Sequence, residues 1–150
     1  SRLITNLRIN GLTKKAKPKL LAVSNYTGMT NFNILTEKSY LSKGGKIDKI
    51  GDQVKVSSLD DMFFDNLQKP LRGIKIDTEG EDYNVLVGSE KLIGKYKPKI
   101  IIEVREENKL KIQSFFSKHK YKIFDIFKLE NEINLREIKI NNIINVFAKY

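Results

Sequence analysis

The segment at residues 74–86, which reads IKIDTEGEDYNVL, constrains the fold more strongly than any other part of the chain. It begins as a short apolar strand, passes directly into acidic residues and a glycine, and continues at once into a helical pattern. In open α/β sheets, ligands bind in the crevice beyond the carboxyl ends of the strands. A strand that ends in Asp77 and Glu79 therefore directs two carboxylates towards the place where a cofactor or substrate would lie.

Apolar spacing along the rest of the chain alternates between strand and helix patterns, which predicts a mixed α/β sheet. Residues 100–104 are the most apolar predicted strand, and the continuous isoleucine run at its start is typical of a strand that is buried on both faces. Since a helix predicted over residues 81–93 joins it to the strand at residues 73–77, we expect two parallel neighbours in the middle of one sheet. Residues 37–52 are predicted to be a loop, and no structure is predicted for residues 128–142. Further strands are predicted at residues 19–24, 30–36, 53–57, 121–127 and 143–149, and helices at residues 1–10, 58–67 and 108–118.

Length and composition place the chain among globular domains. It has 150 residues, of which 40% are hydrophobic, and this suits one domain with a sizeable core. It contains no cysteine, so disulfides and thiolate metal sites are excluded. No apolar run approaches the roughly 18–20 residues that a membrane helix needs. We therefore expect no membrane span and, by default, a cytoplasmic location.

The net charge of +10 raises the question of a nucleic-acid partner. The cationic excess is almost all lysine, whereas arginine is the residue favoured for bidentate contacts with phosphates and bases. The lysines are also spread along the chain instead of forming one block. We therefore expect no nucleic-acid partner, although a basic surface still attracts anionic sugars or lipids.

Five blocks of the sequence resemble, in the same order, the motifs of the FkbM-type methyltransferase family. Residues 75–80 match the family signature K-I-D-x-E-G, and the match continues through Glu81, Val85, Leu86 and Gly88. Four other blocks carry the rest of the resemblance. Residues 3–12 resemble the motif L-x-x-N-x-x-x-N-G-L, residues 22–28 A-V-S-x-x-x-G, residues 56–62 T-L-D-D-L, and residues 97–104 K-P-x-I-I-x-E.

The cofactor loop of that family has no counterpart among these residues. In the family, a glycine-rich loop resembling D-x-G-A-x-x-G follows the first strand, and an acidic residue for the cofactor ribose ends the second. The nine glycines of this chain are scattered. The resemblance therefore implies a class I methyltransferase fold, Rossmann-like with a mixed, mostly parallel sheet, that lacks its first two strands. We expect residues 1–150 to be a single methyltransferase-like domain that is truncated at its N-terminus.

The resemblance implies a methyltransferase that uses S-adenosylmethionine as its cofactor. The expected reaction is O-methylation of a sugar or secondary-metabolite hydroxyl, so the partner would be a small-molecule or glycan acceptor. We expect the full-length protein to be active and these 150 residues alone to be inactive. The alternative is a non-catalytic, degenerate methyltransferase-like domain or a basic module that binds acidic glycans.

Asp77 and Glu79 are the candidate catalytic residues. In resembling enzymes this region lies beside the methyl donor and the acceptor, so Asp77 would contact the cofactor and accept the proton of a substrate hydroxyl. It would alternatively help to hold a divalent cation, because hard cations prefer oxygen ligands. Glu79 has a structural alternative as well, since a carboxylate at this position would stabilise the start of the following helix. No other metal site is predicted.

Three further residues are expected in the vicinity of the substrate or of a metal. Gly80 allows a tight turn after the strand. Glu103 closes the neighbouring strand, where an unpaired charge would be costly to bury, so it either faces the same crevice or pairs with a lysine such as Lys75. Lys75 itself lies within the signature strand and has a role either in the site or as a charge partner of Asp77 or Glu103.

The remaining candidates are small residues and a histidine. Ala22, Val23 and Ser24 match the strand that passes near the adenine in methyltransferases, and their small size would suit packing against a flat ring, although a core position explains them equally well. His119 is the only histidine, and its lysine neighbours indicate a solvated side chain. Asp60 is expected to cap a helix, as is its neighbour at position 61.

Overall fold

The computed structural model describes residues 2–36 and 43–150, and within them the chain alternates between strands and helices. Numbered along the chain, the strands are β1 (Ala22–Val23), β2 (Gly28–Thr36), β3 (Lys43–Asp48), β4 (Asp52–Ser57), β5 (Gly73–Ile76), β6 (Lys99–Val104), β7 (Lys122–Asp125), β8 (Lys128–Glu132) and β9 (Ile144–Lys149). The helices are α1 (Arg2–Ile9), α2 (Leu59–Phe63), α3 (Asp82–Val87), α4 (Glu90–Tyr96) and α5 (Lys109–Lys118). The described strands form two sheets, ordered β1-β4-β2-β3 and β5-β6-β9-β7-β8.

The four-stranded sheet combines one parallel pair with antiparallel neighbours. β1 runs parallel to β4, and β2 runs antiparallel to both β4 and β3. The turn from β3 into β4 depends on Gly51, because its φ is +145° and a Cβ there would lie 2.3 Å from the backbone oxygen of Phe32. The strand predicted at residues 19–24 is shorter than expected, since only its last part pairs as β1.

The prediction of a loop at residues 37–52 is wrong for residues 43–48, which form β3. That strand reads KGGKID and pairs along its whole length with β2 through the backbone. Because its sequence has almost no apolar residues, a prediction based on apolar alternation could not detect it. Residues 37–42 lie outside the described residues.

The five-stranded sheet contains the segment that constrained the fold. β5 and β6 are parallel neighbours, with Ile74 opposite Ile100, as the strand-helix-strand rule predicts. β5 nevertheless lies at the edge of this described sheet, so the prediction of a central position is wrong. β9 runs antiparallel between β6 and β7, and β8 runs antiparallel to β7.

The predictions of one sheet and of mostly parallel strands are also wrong for the described residues. Of their seven strand pairings, only the β1–β4 and β5–β6 pairs are parallel. Parallel neighbours need a crossover of a dozen or more residues, whereas two residues join β7 to β8. β8 lies in the stretch for which no structure was predicted, because all of its residues are exposed and no apolar face marks it.

The helix predicted over residues 81–93 consists of two helices, α3 and α4. The chain leaves α3 at Gly88, and the side chain of Ser89 donates a hydrogen bond to the backbone oxygen of Val85 at 2.6 Å. The carboxylate of Asp60 then accepts hydrogen bonds from the backbone N–H groups of Lys91 and Leu92, both at 2.9 Å. This distant carboxylate satisfies the first turn of α4 and stabilises the break.

The hydrophobic core lies between the five-stranded sheet and its helices. β6 contributes Ile100, Ile102 and Val104, while α5 contributes Ile112 and Phe116, and all five side chains are fully buried. Further core members come from α3, α4, β7 and β9: Val85, Leu86, Ile93, Ile123, Val146 and Ala148. A rigidly packed base of this kind fixes the carboxyl ends of β5 and β6, from which the candidate residues project.

Candidate functional site

Residues 77–81, here called the site loop, form a sharp turn between β5 and α3. Two consecutive residues adopt left-handed backbone angles, with φ of +47° at Glu79 and +103° at Gly80. Gly80 takes this conformation without a steric cost, as the sequence predicted, whereas a non-glycine residue such as Glu79 adopts it less readily. Such a backbone persists only where the surrounding structure holds it.

A buried carboxylate holds the site loop from inside. Asp82 is completely buried, and its Oδ1 accepts hydrogen bonds from the backbone N–H and the hydroxyl of Thr78, at 3.0 and 3.2 Å. Its Oδ2 accepts a third bond from the backbone N–H of Gly80 at 3.2 Å. This role of Asp82 was not predicted from the sequence. An acidic residue in the first turn of the helix was the available signal, because such residues bind exposed backbone N–H groups.

The two predicted catalytic carboxylates are about equally exposed, and Asp77 is the one that pairs with a lysine. Its side chain is 49% exposed, and one of its oxygens forms an ion pair with the side chain of Lys75. Two roles were considered for Lys75, and the structure shows that it is a charge partner of Asp77. Because this pair is exposed to solvent, it contributes little to stability and is readily broken.

Arg105 joins Glu79 to Glu103 and was not identified from the sequence. Its guanidinium lies 2.9 Å from Glu103 Oε2 and 3.3 Å from Glu79 Oε2. Glu103 thus pairs with an arginine, and the lysine partner that we considered is not what the structure shows. The signal for Arg105 was its place immediately after β6, which matches the place of Asp77 after β5.

The charges around Arg105 strengthen this bridge. Partial burial lowers the pKa of Arg105, but the hydrogen bond and charge of Glu103 outweigh that effect, together with the charges of Glu79 and Asp82. The result is a pKa above the usual arginine value, so the guanidinium remains charged.

Since Ile76 pairs with Ile102, the register places Asp77 beside Glu103 on one face of the sheet.

The end of β1 meets the site loop. Ser24 follows β1 and is almost fully buried, and its hydroxyl donates a hydrogen bond of 2.7 Å to Oε2 of Glu81. Ala22 and Val23 are half-buried in β1, where they pair with Val56 and Ser57 of β4. The structure therefore brings the predicted cofactor-binding strand and the predicted catalytic segment together.

His119 is not the solvated side chain that its neighbours indicated. The side chain is 13% exposed, its Nε2 lies 3.0 Å from Oε1 of Glu90, and its ring contacts Phe115 at a centroid distance of 4.5 Å. Lys118 binds the same oxygen of Glu90 at 2.8 Å. The hydrogen bond from Lys118 is the largest cause of the lowered pKa of Glu90, and His119 adds to it.

Of the two aspartates after β4, Asp60 caps a helix as predicted, whereas the carboxylate of Asp61 binds a threonine hydroxyl. Asp60 caps α4, as described above, although α2 was the expected helix. Ser58 caps α2 instead, because its hydroxyl accepts a 3.0 Å hydrogen bond from the backbone N–H of Asp61. The hydroxyl of Thr27 donates to the Asp61 carboxylate and is the first cause of its lowered pKa, followed by Ser58.

The structure gives no support to a divalent cation. Within residues 2–36 and 43–150, no three histidine, cysteine, aspartate or glutamate side chains are grouped as metal ligands. Two carboxylates of the site, those of Glu79 and Glu103, are paired with Arg105.

Within residues 2–36 and 43–150, no helix has the length and apolar character required to cross a membrane.

Comparison with known families identifies the family of the chain. The family model of the methyltransferase FkbM domain matches residues 1–132. The chain belongs to this family. Searches among curated proteins and among solved structures each found no match. The match confirms the resemblance seen in the five sequence motifs, and the FkbM methyltransferase domain defined by it includes β1, the site loop and Arg105.

Proposed function

We propose that this FkbM methyltransferase domain transfers a methyl group from S-adenosylmethionine to a hydroxyl oxygen of a sugar or secondary metabolite. The observation that carries the proposal is the half-exposed carboxylate of Asp77 at the carboxyl end of β5, within a domain of a methyltransferase family. That edge of a parallel pair is where α/β proteins bind their ligands.

The proposal includes the class I methyltransferase fold lacking its first two strands. Two features of the described sheets support it. β1 and β5 each occupy a sheet edge, so each has one side to which a further strand would pair. The contact between Ser24 and Glu81 brings these two edges into the same region of the molecule. In the complete fold, two additional strands would join the two sheets.

The residues present fit part of the proposed cofactor. Ala22 and Val23 are small and half-buried, which suits packing against a flat ring. The hydroxyl of Ser24 is buried and directed at Glu81, so we assign Ser24 a supporting role beside the cofactor instead of a direct side-chain contact. S-adenosylmethionine supplies the electrophilic methyl group for the reaction.

Asp77 is a better candidate for the general base than Glu79. Glu79 forms an ion pair with Arg105, which also forms an ion pair with Glu103. Among the contacts described above, Asp77 pairs only with the exposed side chain of Lys75. An acceptor hydroxyl would displace that lysine and transfer its proton to Asp77 as its oxygen takes up the methyl group. The bond between this methyl group and the donor sulfur would break, and the demethylated donor would leave with the electron pair. Placement of the acceptor oxygen would supply most of the rate, and proton removal would add to it.

The test is Asp77→Asn in the complete protein. Asparagine keeps the shape of the side chain but removes its charge and basicity, so methyl transfer should fall at least tenfold, within the range of about 10²–10⁴ that a general base supplies. Glu79→Gln should have an intermediate effect, partly through the site loop. Lys55→Ala, an exposed position on β4, serves as the control and should change little.

The measurement is the initial rate of methyl transfer against pH. Loss of the acidic limb of the profile in Asp77→Asn would identify Asp77 as the group that must be ionised. Wild-type activity in this variant would make Asp77 structural and would move the assignment to Glu79 or Glu103.

A binding function is the second candidate, because the chain carries a net charge of +10. We infer that a non-catalytic relative with this charge would bind acidic glycans through its lysines. Calorimetric titration distinguishes the two functions. Saturable, salt-sensitive binding of an acidic oligosaccharide, without binding of S-adenosylmethionine by the complete protein, would favour the binding module.

A further inference from the structure

Glu81 stands between the two parts of the proposed site, and none of the roles assigned above uses it. We propose that Glu81 is a positioning residue that holds the end of β1 against the site loop. In this role it fixes the cofactor-binding strand relative to Asp77. The inference rests on the proposed function, because the strand that it positions is the one proposed to contact the cofactor.

The hydrogen bonds of Glu81 join elements that are far apart in sequence. Its Oε2 accepts the 2.7 Å bond from the hydroxyl of Ser24, across 57 residues of chain, and a second bond of 3.1 Å from the side-chain amide of Asn84. Although Glu81 is the first residue before α3, its side chain makes no capping hydrogen bond to that helix. A structural cap therefore does not explain the carboxylate, whereas the bond to Ser24 does.

The far end of α3 makes a second contact with the same place on β1. Gly88 follows α3, and a Cβ at that position would lie 2.3 Å from the backbone oxygen of Ser24 and 2.9 Å from the Cα of Asn25. Only glycine permits so close an approach. Both ends of α3 are thus attached to the end of β1, one by the hydrogen bond that Glu81 accepts from Ser24 and the other by direct backbone packing at Gly88.

The neighbouring carboxylates of Asp82 and Glu81 hold the site loop through different contacts. Asp82 binds Thr78 and Gly80, so it sets the internal shape of the loop. Glu81 binds outside the loop, so it sets where the loop lies relative to β1. Loss of Glu81 should therefore leave the loop folded but allow β1 and Asp77 to move relative to each other. Because β1 is the strand proposed to contact the cofactor, its movement should weaken the binding of S-adenosylmethionine more than it slows methyl transfer.

The experiment compares Glu81→Ala, Glu81→Gln and Ser24→Ala in the complete protein. Glutamine retains an oxygen that accepts from Ser24, so the KM for S-adenosylmethionine should stay within about threefold of the wild type. Alanine at either position removes the bond and should raise that KM about tenfold, with a smaller effect on kcat. The double alanine variant should be no worse than the worse single variant, because both remove the same contact. Glu132→Ala removes an exposed glutamate paired with Lys122 and is the matched control.

Hydrogen exchange at the end of β1, measured without cofactor, separates this inference from the proposed function. Faster exchange at residues 22–25 in Glu81→Ala, together with the raised KM, would support the positioning role. Faster exchange with an unchanged KM would refute it while leaving methyl transfer intact. Additive effects of the two alanine substitutions, or a glutamine variant as impaired as alanine, would also refute it. If the wild-type protein transferred no methyl group, the proposed function would fall, and this inference with it.

Discussion

The two sheets differ in how firmly they are packed. The buried core runs through the five-stranded sheet and the helices α3, α4 and α5, whereas Val56 is the one fully buried apolar side chain that the described part of the four-stranded sheet contributes. Large apolar residues before and within that sheet remain exposed, among them Ile9, Leu20 and Met29. The proposed site contains residues from both sheets. Asp77 follows a strand of the firmly packed five-stranded sheet, and Ala22 and Val23 belong to the four-stranded sheet.

This difference explains why a few polar contacts matter at the site. A residue in the five-stranded part is positioned by close packing, which leaves few alternatives. β1 has two half-buried residues, of which Val23 packs against the core, so the bond between Ser24 and Glu81 and the approach at Gly88 carry more of its positioning. Segments with few buried contacts open locally at a lower free energy than the core does.

The largest predicted effect is on stability, and it tests the comparison directly. Ile102→Ala should lower the free energy of unfolding by about 2–5 kcal/mol, because it empties a fully buried position on β6. Met29→Ala, on the exposed surface of β2, should change it by less than about 0.5 kcal/mol. Chemical denaturation of both variants provides the measurement. Equal losses would show that the two sheets share one core and would remove the basis of the comparison.

Sequence patterns identified the elements of the packed part better than those of the other. The strands at residues 73–77 and 100–104 were correctly predicted as parallel neighbours, because buried strands and their crossover helix leave a strong apolar signal. β3 and β8 carry no such signal, since backbone pairing defines them. The edge position of β5 was also not predictable, because strand order depends on pairings between segments far apart in the chain.

At the site, the sequence indicated where residues lie better than it indicated their partners. The strand end located Asp77, Glu79 and Glu103 in one region, as the structure shows. It did not reveal that Arg105 joins two of these carboxylates, or that Glu81 binds Ser24, because hydrogen-bond partners depend on side-chain geometry. The catalytic and cofactor roles of these residues remain predictions.

An intermediate effect is predicted for the carboxylate that shapes the site loop. Asp82→Ala should lower the free energy of unfolding by about 1–3 kcal/mol, because it removes the buried carboxylate that accepts from the backbone N–H groups of Thr78 and Gly80. Asp82→Asn should cost less, since its remaining oxygen still accepts from Thr78. Thr27→Ala removes an exposed hydrogen bond near the four-stranded sheet and should cost less than either. The same denaturation assay ranks the three variants, and a Thr27→Ala loss equal to that of Asp82→Ala would contradict the ranking.

The smallest predicted effect concerns Tyr121, whose hydroxyl donates a buried hydrogen bond of 2.7 Å to the backbone oxygen of Pro98. Burial raises the pKa of Tyr121 to about 12, above its usual value of 10.0. Below pH 10 the side chain is protonated in both the folded and the unfolded chain, so its contribution to stability is fully present. Between about pH 10 and 12 the unfolded chain releases this proton while the folded chain keeps it, so stability falls as the pH rises.

Tyr121→Phe should therefore reduce stability by about 1 kcal/mol at neutral pH, the usual worth of one hydrogen bond, and should make stability less sensitive to pH above 10. The matched control is Tyr26→Phe, because Tyr26 is exposed and lies beside the four-stranded sheet. Denaturation curves from pH 7 to 11.5 provide the test. If the wild type and Tyr121→Phe lost the same stability as the pH rose, ionisation of Tyr121 would not cause the alkaline destabilisation. The loss of stability at high pH would then come from groups other than this buried tyrosine.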